Sequence, residues 1–364
     1  MQTKPLTVLG IETSCDETAA SVVTRHPDGT GTILSNIVHS QLTEHAPYGG
    51  VVPEIAARAH CTILDTLIKT ALNDANITFE QIDGVGATTG PGLIGGLLVG
   101  ATMAKAIAMV QKRPFLAINH LEAHALTVGL THGQKPPYLL LLVSGGHTQL
   151  IWVNDIGSYK RIGTTIDDAL GEAFDKTAKL LGLGYPGGPE VEKWAEKGDP
   201  DKFPLPLPLK GNKQPNFSFS GLKTALRQQA HKAAPLSDQD IADLCASFQN
   251  TLIKSTMQRL ALGLEVIKNE HQAPKHHPII VAGGVAANKQ LRTMLETQSK
   301  QLGHPLIIPP HHLCTDNAAM IAWTAAERLA RAEQDPLTTP TRSRWPLDED
   351  AIPLLGSGKA GAKA

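Results

Sequence analysis

The chain has 364 residues, of which 41% are hydrophobic, 18% are charged and only 4% are aromatic, and its formal net charge is −1. This hydrophobic fraction excludes a disordered chain, the lack of a G-x-y period or heptad run excludes a fibrous one, and the length suits two domains. The balanced charge excludes a broadly basic body, so contact with nucleic acid requires a local patch or a partner protein.

The first part of the chain is predicted to mix strands and helices, because apolar runs and alternation indicate strands whereas 3.6-residue periodicity indicates helices. In chain order, we predict strands at residues 6–12, 19–24 and 32–39, a helix at 54–75, a strand at 83–89, a helix within 92–110, a strand at 115–118 and a helix at 121–130. The segment 92–110 is long enough to span a bilayer. Because it carries Lys105 and follows a Gly-Pro-Gly turn, we expect a buried helix packed on a sheet.

The pattern restarts after the Pro136-Pro137 pair with a fully apolar run, which is typical of a strand buried on both faces. The predicted elements are strands at 138–143, 148–153 and 159–165, helices within 167–181 and 238–270, a strand at 279–282, and helices at 287–302 and 317–331. The proline-rich segment 202–215 is predicted to be a loop.

The two halves repeat the same order of elements without repeating their sequence. Each half opens with a strand, a polar or glycine turn and a returning strand, and each later contains a strand, a glycine turn and a helix. This order predicts an α/β protein with the duplicated actin-like, sugar kinase and Hsp70 (ASKHA) ATPase fold, in which a cleft between two lobes binds adenine nucleotides. We expect an N-terminal lobe over 1–135, a C-terminal lobe over 136–334 with a helical insertion near 190–235, and a mobile tail over 335–364.

Two imidazoles four residues apart indicate a metal site. His120 and His124 lie on one face of a predicted helix and can bind one ion together. The third ligand must come from a distant segment, and Asp316 at the start of the last helix is a candidate. The histidine pairs 276–277 and 311–312 compete for this role, although adjacent histidines in proline-flanked loops are more typical of solvent-facing positions.

A metalloprotease is excluded by the residues around this histidine pair. Zinc peptidases need a glutamate directly after the first histidine or, in the inverted motif, directly before the second. Leu121 and Ala123 occupy these two positions. The metal site therefore lacks the general base of peptide hydrolysis.

Other polar and glycine-rich turns at the ends of strands are candidate ligand sites. The turn at 143–147 is suited to an anion because glycines let backbone N–H groups approach it, although an ordinary hairpin explains it equally well. Asn288 follows a glycine pair and is either a ligand contact or a helix cap. Asp175 is suited to a ribose hydroxyl. The acids Glu12, Asp16 and Glu17 end the first strand, either as a phosphate–metal site or as a solvated turn.

Together these segments resemble one known family, TsaD, the tRNA adenosine threonylcarbamoyltransferases, and the resemblance covers about residues 6–347. The segments that carry it are GIETSCDET (10–18), GGVVPEIAARAH (49–60), TTGPGLIGGLLVG (88–100), NHLEAHAL (119–126), LLVSGGHTQL (141–150), DDALGEAFDKTAKLLGLGYPGGP (167–189), FSFSGLKTA (217–225), VAGGVAAN (281–288), CTDNAAMIA (314–322) and RWPLD (344–348).

The resemblance implies an acyltransferase that moves a threonylcarbamoyl group from L-threonylcarbamoyladenylate to N6 of adenosine 37, in tRNAs that read codons beginning with A, with release of AMP. It implies one divalent metal ion per subunit, iron (Fe2+) or zinc, held by His120, His124 and Asp316. The residues implied to bind a nucleotide-type ligand, which is the adenylate, AMP or ATP, are Val143, Ser144, Gly145, Gly146, His147, Asp175, Gly188 and Asn288. We take Asp16 as the candidate base for the N6 proton because it lies across the predicted cleft.

The implied partners are tRNA, the shorter relative TsaB as a heterodimer, and the ATPase TsaE, with the adenylate supplied by a separate synthase. We expect a cytoplasmic protein without membrane contact, because the four cysteines are scattered and no signal peptide is evident. Candidate tRNA contacts are Lys210, Lys213, Lys223, Arg227, Arg342 and Arg344. The alternatives are an ATP-dependent phosphotransferase of the same superfold, which does not need the paired histidines, and a non-catalytic scaffold like TsaB, which lacks them.

Overall fold

The computed structural model describes residues 4–271 and 273–352, which divide into two units. The first unit contains the chain up to Lys135 together with Pro309–Glu349, and the second contains Pro136–Ile308 and residues 350–352. Each unit is built around one five-stranded sheet.

Every predicted helix and strand is present, with boundaries that differ by a few residues, and the structure contains further elements that were not predicted. The strands are β1 (Leu6–Glu12), β2 (Glu17–Arg25), β3 (Gly31–Ser40), β4 (Gly84–Gly90), β5 (Phe115–Asn119), β6 (Tyr138–Val143), β7 (Thr148–Asp155), β8 (Ser158–Thr164), β9 (Ile279–Ala282) and β10 (Leu306–Ile307). The helices are α1 (Leu42–His45), α2 (Pro53–Asp74), α3 (Ile94–Gln111), α4 (His120–His132), α5 (Leu170–Leu180), α6 (Gly187–Ala195), α7 (Ser220–Ala233), α8 (Asp238–Glu270), α9 (Lys289–Leu302), α10 (His311–Cys314) and α11 (Ala318–Ala330).

The two sheets have the same topology, which confirms the predicted duplication. The strand order is β3-β2-β1-β4-β5 in the first sheet and β8-β7-β6-β9-β10 in the second. In both sheets the first strand of the unit, β1 or β6, is central. It pairs antiparallel with the next strand, β2 or β7, on one side and parallel with a later strand, β4 or β9, on the other. The carboxyl ends of the central strands are therefore followed by the polar and glycine turns identified in the sequence.

The first sheet is covered on both faces, and alternation along β1 assigns its side chains to the two layers. Leu9 and Ile11 pack in a cluster with residues of α2 and α3, whereas Val8 packs with residues of α4 and α11. Burial on both faces accounts for the continuous apolar run of this strand.

The last helix, α11, belongs to the first unit, which differs from the predicted lobe boundary at 334. It packs on β1, β2 and α4, where glycines in the strands let its backbone approach. A Cβ on Gly10 would lie 2.5 Å from the carbonyl oxygen of Ala318, and one on Gly86 would lie 2.6 Å from the Cβ of Ala325. Sequence periodicity does not report contacts between distant segments. The prediction therefore assigned this helix to the lobe that precedes it in the chain, and the structure assigns it to the first unit.

The segment after α11 also packs on the first unit, so the part of the predicted mobile tail before residue 350 is ordered. The backbone N–H of Asp335 donates to Phe115 O at 2.8 Å, and that of Arg342 donates to Thr89 O at 2.8 Å. The side chain of Asn119 donates to Trp345 O at 3.0 Å. Residues 353–364 of the predicted tail lie outside the described residues.

Helix α3 is long and apolar enough to cross a membrane by length and composition alone. It packs on β4 and α2, and its residues Gly96 and Gly100 lie against Thr13, directly after β1. Its other face is exposed at Leu98 and Val110. The prediction of a helix packed on a sheet therefore holds for one face, and the helix is not buried all round.

The second unit contains helices that the sequence patterns did not identify, α6 and α7, on either side of the predicted proline-rich loop. These helices lie within or beside the insertion expected near 190–235. Arg259 of α8 holds the loop by donating to the carbonyl oxygens of Asn212 and Gln214, both at 2.9 Å. Long-range hydrogen bonds of this kind, rather than local periodicity, order this region.

Candidate metal centre and ligand loops

The first turn of α4 carries both candidate histidines because Asn119 caps it. The Asn119 Oδ1 accepts the backbone N–H of Leu121 at 2.8 Å, so the helix begins at His120 directly after β5. His124 follows one turn later on the same face, and the two rings meet edge to face with centroids 4.7 Å apart.

Asp316 lies directly before α11, whose first turn is capped by Asn317. Because α11 packs against α4, the start of one helix meets the first turn of the other. The Asp316 Oδ1 lies 3.1 Å from His124 Nε2 and 3.4 Å from His120 Nε2. The fold thus brings together three predicted metal ligands, of which His124 and Asp316 are 192 positions apart in the sequence.

The donor atoms of this triad (His120, His124 and Asp316) suit one transition-metal ion. They lie within 4.8 Å of one another, and both histidines are buried. Ligands bonded at about 2.0–2.2 Å around a tetrahedral ion are separated by about 3.3–3.6 Å, close to the distances found here. Two imidazole nitrogens and one carboxylate form a donor set that zinc and ferrous iron accept and that magnesium or calcium disfavours.

Glu12 fixes the orientation of His120 from the other side of the ring. Its Oε2 lies 3.1 Å from His120 Nδ1, and it also accepts the hydroxyl of Thr88 at 2.5 Å. Its Oε1 accepts the backbone N–H of Ser14 at 2.5 Å. A buried carboxylate that accepts Nδ1–H leaves Nε2 of the same ring free for a metal ion.

The electrostatics of the cluster favour a cation. Burial alone would lower the pKa of His120, but Asp316 and Glu12 outweigh burial and raise it well above its ordinary value. Burial alone would raise the pKa of Asp316, and the two imidazoles hold it well below its ordinary value. The two carboxylates therefore remain ionised around one ring, and the positive charge that balances them comes from a proton or a metal ion.

The turn that carries Asp16 adjoins this triad. Ser14 Oγ lies 3.3 Å from His120 Nδ1. Burial, followed by the charges of Asp316 and Asp16, raises the pKa of Glu17 well above its ordinary value. Asp16 itself is 9% exposed. The acid cluster at the end of β1 is therefore not a solvated turn. Glu12 belongs to the metal site, and Asp16 and Glu17 lie in or next to the turn beside it.

In the second unit, the predicted ligand loop closes a hairpin between β6 and β7. The Ser144 N–H donates to His147 O at 2.8 Å, and the His147 N–H donates to Ser144 Oγ at 3.0 Å. Gly145 and Gly146 are exposed, and a Cβ on either would meet no described atom within 4 Å. Neither packing nor backbone geometry explains these two glycines, which leaves room for a ligand against the backbone.

Two other predicted ligand residues, Asp175 and Asn288, form hydrogen bonds within the protein. Asp175 accepts the N–H of Gly187 at 2.8 Å, which places it at the start of α6, next to Gly188. Asn288 caps α9 by accepting the N–H of Leu291 at 2.8 Å, and its Nδ2 donates to Gln249 Oε1 at 2.8 Å. Asn288 therefore caps a helix, as one of its two interpretations predicted, and its contact with a ligand stays a prediction.

Asp167 has a role that sequence reasoning missed. Helix α5 begins at Leu170, inside the predicted range of 167–181, so Asp167 precedes its first turn. Its carboxylate instead accepts the Ser218 hydroxyl at 2.5 Å and the Phe219 N–H at 2.7 Å, and it also accepts both the N–H and the hydroxyl of Ser220. The FSFSG segment is thus anchored to the start of the DDALGEAFDK segment.

The competing histidines do not join the triad. His276 and the 311–312 pair are exposed, as expected, but His277 is buried. Its ring packs on Trp152 and on His304.

Most of the candidate tRNA contacts are exposed. The exposed ones are Lys210, Lys213 and Arg227 in the second unit and Arg342 and Arg344 in the first, and Lys223 is half-buried.

Comparison with known proteins places these features in one family. A family model described as TsaD, tRNA N6-adenosine threonylcarbamoyltransferase, matches residues 32–323. A protein of that name from Brucella anthropi is 60% identical over 357 residues, which are 98% of this chain and 99% of the relative. A protein of the same name from Brucella suis matches to the same extent.

Among solved structures, HypF from T. kodakarensis has a similar fold, with a TM-score of 0.61 and 13% sequence identity over 91% of this chain and 50% of HypF. At this identity the likeness shows the fold alone, and it agrees with the ASKHA-type architecture. The chain belongs to the TsaD family of tRNA N6-adenosine threonylcarbamoyltransferases.

Proposed function

We propose that this chain transfers the threonylcarbamoyl group from L-threonylcarbamoyladenylate to N6 of adenosine 37 in tRNAs that read codons beginning with A. The observation that carries the proposal is the convergence of two imidazoles and a carboxylate on one point, in a chain 60% identical over almost its full length to proteins named for this activity. The alternative phosphotransferase has no use for this donor set.

The reaction explains why such a site is needed. The lone pair of the adenosine N6 amine is delocalised into the ring, so the amine is a weak nucleophile. The amine attacks the carbamoyl carbon of the adenylate, the bond from that carbon to the phosphate oxygen breaks, and AMP leaves with the electron pair. The N6 proton passes to a base. Stabilising the charge that develops on the carbonyl oxygen lowers the barrier most.

We assign the residues as follows. His120, His124 and Asp316 hold one divalent ion, zinc or ferrous iron, which supplies Lewis acidity toward the donor. Glu12 orients His120. Asp16 is the base for the N6 proton, since it lies on the turn that touches His120 through Ser14.

The nucleotide end of the donor is assigned to the second unit. The open backbone at Gly145 and Gly146 supports binding of the AMP moiety by the 143–147 loop. Gly188 also has no described atom within 4 Å of its Cβ position. Asp175 of α5 contacts the start of α6, the helix that carries Gly188, and is suited to a ribose hydroxyl.

The partners follow from the family and from the charge. The chain is nearly neutral, so its affinity for tRNA depends on exposed cations such as Arg342 and Arg344 and on partner proteins. We propose that TsaB and the ATPase TsaE are these partners, that a separate synthase supplies the adenylate, and that the protein acts in the cytoplasm.

The test is mass spectrometry of tRNA nucleosides after incubation of the chain, with and without TsaB and TsaE, with threonylcarbamoyladenylate. Modified adenosine and equimolar AMP are expected. Release of ADP from ATP by the chain alone, without TsaE and without nucleoside modification, would instead favour the phosphotransferase. His124→Ala should abolish both bound metal and modification, whereas His132→Ala, at an exposed position of the same helix, should retain both. Full activity in metal-free His124→Ala would refute the metal's role.

A further inference from the structure

The Ser14–Asp16 turn is held by three successive backbone carbonyls, each bound from a different element. The Ser14 carbonyl accepts the N–H of Leu93 at 2.7 Å, directly before α3. The Cys15 carbonyl lies 3.0 Å from His60 Nε2 in α2. The Asp16 carbonyl accepts the N–H of Gln41 at 3.0 Å, directly after β3. Two of these three donors, His60 and Gln41, also contact each other.

These contacts belong to a largely buried chain of six hydrogen-bond contacts. It starts at the backbone N–H of Val52, which donates to His45 Nδ1 at 3.3 Å, and His45 Nε2 lies 3.2 Å from Gln41 Oε1. Gln41 Nε2 lies 3.3 Å from Thr18 Oγ1 and 3.2 Å from His60 Nδ1. Thr18 Oγ1 lies 2.8 Å from His60 Nδ1, and His60 Nε2 ends the chain at the Cys15 carbonyl.

The two ends of the chain determine the tautomers of both histidines and the orientation of the Gln41 amide. The Val52 N–H can only donate, so His45 Nδ1 accepts and its Nε2 carries the proton. Because the Cys15 carbonyl can only accept, His60 Nε2 carries a proton and Nδ1 accepts from Thr18 or Gln41. Gln41 is thereby oriented, with its oxygen toward His45 and its nitrogen toward Thr18. Both histidines are neutral Nε2–H tautomers.

Packing around His60 leaves this arrangement little freedom. The side chains of His45, His60 and Gln41 are fully buried. A Cβ on Gly96 of α3 would lie 3.1 Å from two atoms of the His60 ring, so the helix backbone is pressed against the imidazole. Burial, which the contact with the Cys15 carbonyl only partly offsets, lowers the pKa of His60, in keeping with a neutral ring.

We propose that His60 is a positioning residue for the transfer reaction, which sets the Ser14–Asp16 turn against the metal triad through its Nε2–H bond to the Cys15 carbonyl. The proton directions in the chain from Val52 to Cys15 make this bond obligatory. The inference rests on the proposed roles of Asp16 and the triad. A turn displaced by about 1 Å is expected to slow the reaction about 100-fold.

The first test does not depend on activity. In protein labelled with 15N-histidine, two-bond nitrogen–proton correlations report the tautomer of each ring. His45 and His60, assigned by single substitution, are expected as neutral Nε2–H tautomers at neutral pH. An Nδ1–H tautomer or an imidazolium at His60 would overturn the proposal, even if the proposed transfer function holds.

The second test uses substitutions that separate the hydrogen bond from side-chain volume. His60→Gln keeps an N–H donor near the Nε2 position, whereas His60→Leu removes it. In the complete transfer assay, His60→Leu is expected to lower kcat about 100-fold with little change in KM for the adenylate, and His60→Gln to recover most of this loss. His26→Gln, at a hydrogen-bonded and half-buried histidine outside this chain of contacts, is the control.

Thr18 provides a second pair if His60→Leu fails to fold. Thr18→Val is nearly isosteric but removes the hydroxyl that faces His60 Nδ1, and Thr18→Ser restores it. The serine variant is expected to have the higher kcat while both keep the metal content of the native protein. Equal kcat in Thr18→Val and Thr18→Ser, or native kcat in a folded His60→Leu, would overturn the positioning role.

Discussion

Glu12→Gln is the substitution that tests the metal centre most directly, because glutamine has the same shape as glutamate. In the native protein the two carboxylate oxygens divide three contacts between them. One oxygen accepts the Ser14 N–H at 2.5 Å, and the other accepts the Thr88 hydroxyl at 2.5 Å and faces His120 Nδ1 at 3.1 Å. An amide has only one oxygen, so one side of this arrangement must change.

Either orientation of the amide weakens the site. If the amide nitrogen faces His120, it donates to Nδ1, the proton of the ring moves to Nε2, and Nε2 can no longer bind a metal ion. If the amide nitrogen faces Ser14 instead, two donors meet in a site without solvent, which costs about 1–3 kcal/mol. Loss of such a supporting carboxylate typically lowers metal affinity about 10–100-fold, or about 1.4–2.8 kcal/mol.

The assay is competition for zinc between the protein and a chromophoric chelator at neutral pH, with metal-free protein as the starting material. We expect Glu12→Gln to bind zinc about 10–100-fold more weakly than the native chain. Glu54→Gln, at an exposed glutamate of α2, is the matched control and should bind zinc as the native chain does. A Glu12→Gln protein that folds and retains native affinity would refute the argument that Glu12 sets the ring of His120.

Three further predictions concern stability and reactivity. Gly10→Ala should destabilise the protein by about 1–3 kcal/mol in chemical unfolding, since the methyl group overlaps α11, whereas Gly221→Ala, with open space, should not. Asp167→Asn should cost about 1.5–3 kcal/mol, because an amide cannot accept all the donors of the FSFSG segment, and native-state hydrogen exchange at Phe219 should accelerate. Burial raises the pKa of Cys245 to about 12, so iodoacetamide at mildly alkaline pH should modify the exposed Cys61 and leave Cys245 intact until unfolding; equal rates in native protein would contradict this.

Local patterns were sufficient for most of the elements and for their duplicated order, although they did not identify α6 and α7. The run Tyr138–Val143 was predicted with its observed boundaries because an uninterrupted apolar segment bounded by prolines and a glycine turn has few other structures. The pair His120 and His124 was recognisable because helical periodicity places residues four apart on one face. These inferences depend on spacing along the chain, which the sequence contains in full.

The tertiary structure decided what those segments contact. Asp316 was one of several possible third ligands until the packing of α11 on α4 brought it to the histidines. Glu12 belonged to an acid cluster of uncertain use, and only its contact with His120 Nδ1 distinguishes it from Asp16.

The tertiary structure also decided which hydrogen bonds Asn288 and Asp167 form. Asn288 became a helix cap, and Asp167 an anchor for a segment some 50 residues away, through hydrogen bonds that no local pattern encodes. The net charge of −1 indicated a need for partners, and the positions of glycines after strands indicated ligand turns. Which glycines face open space, and which let α11 approach the sheet, depends on distances between segments far apart in sequence, which arise only when the chain is folded.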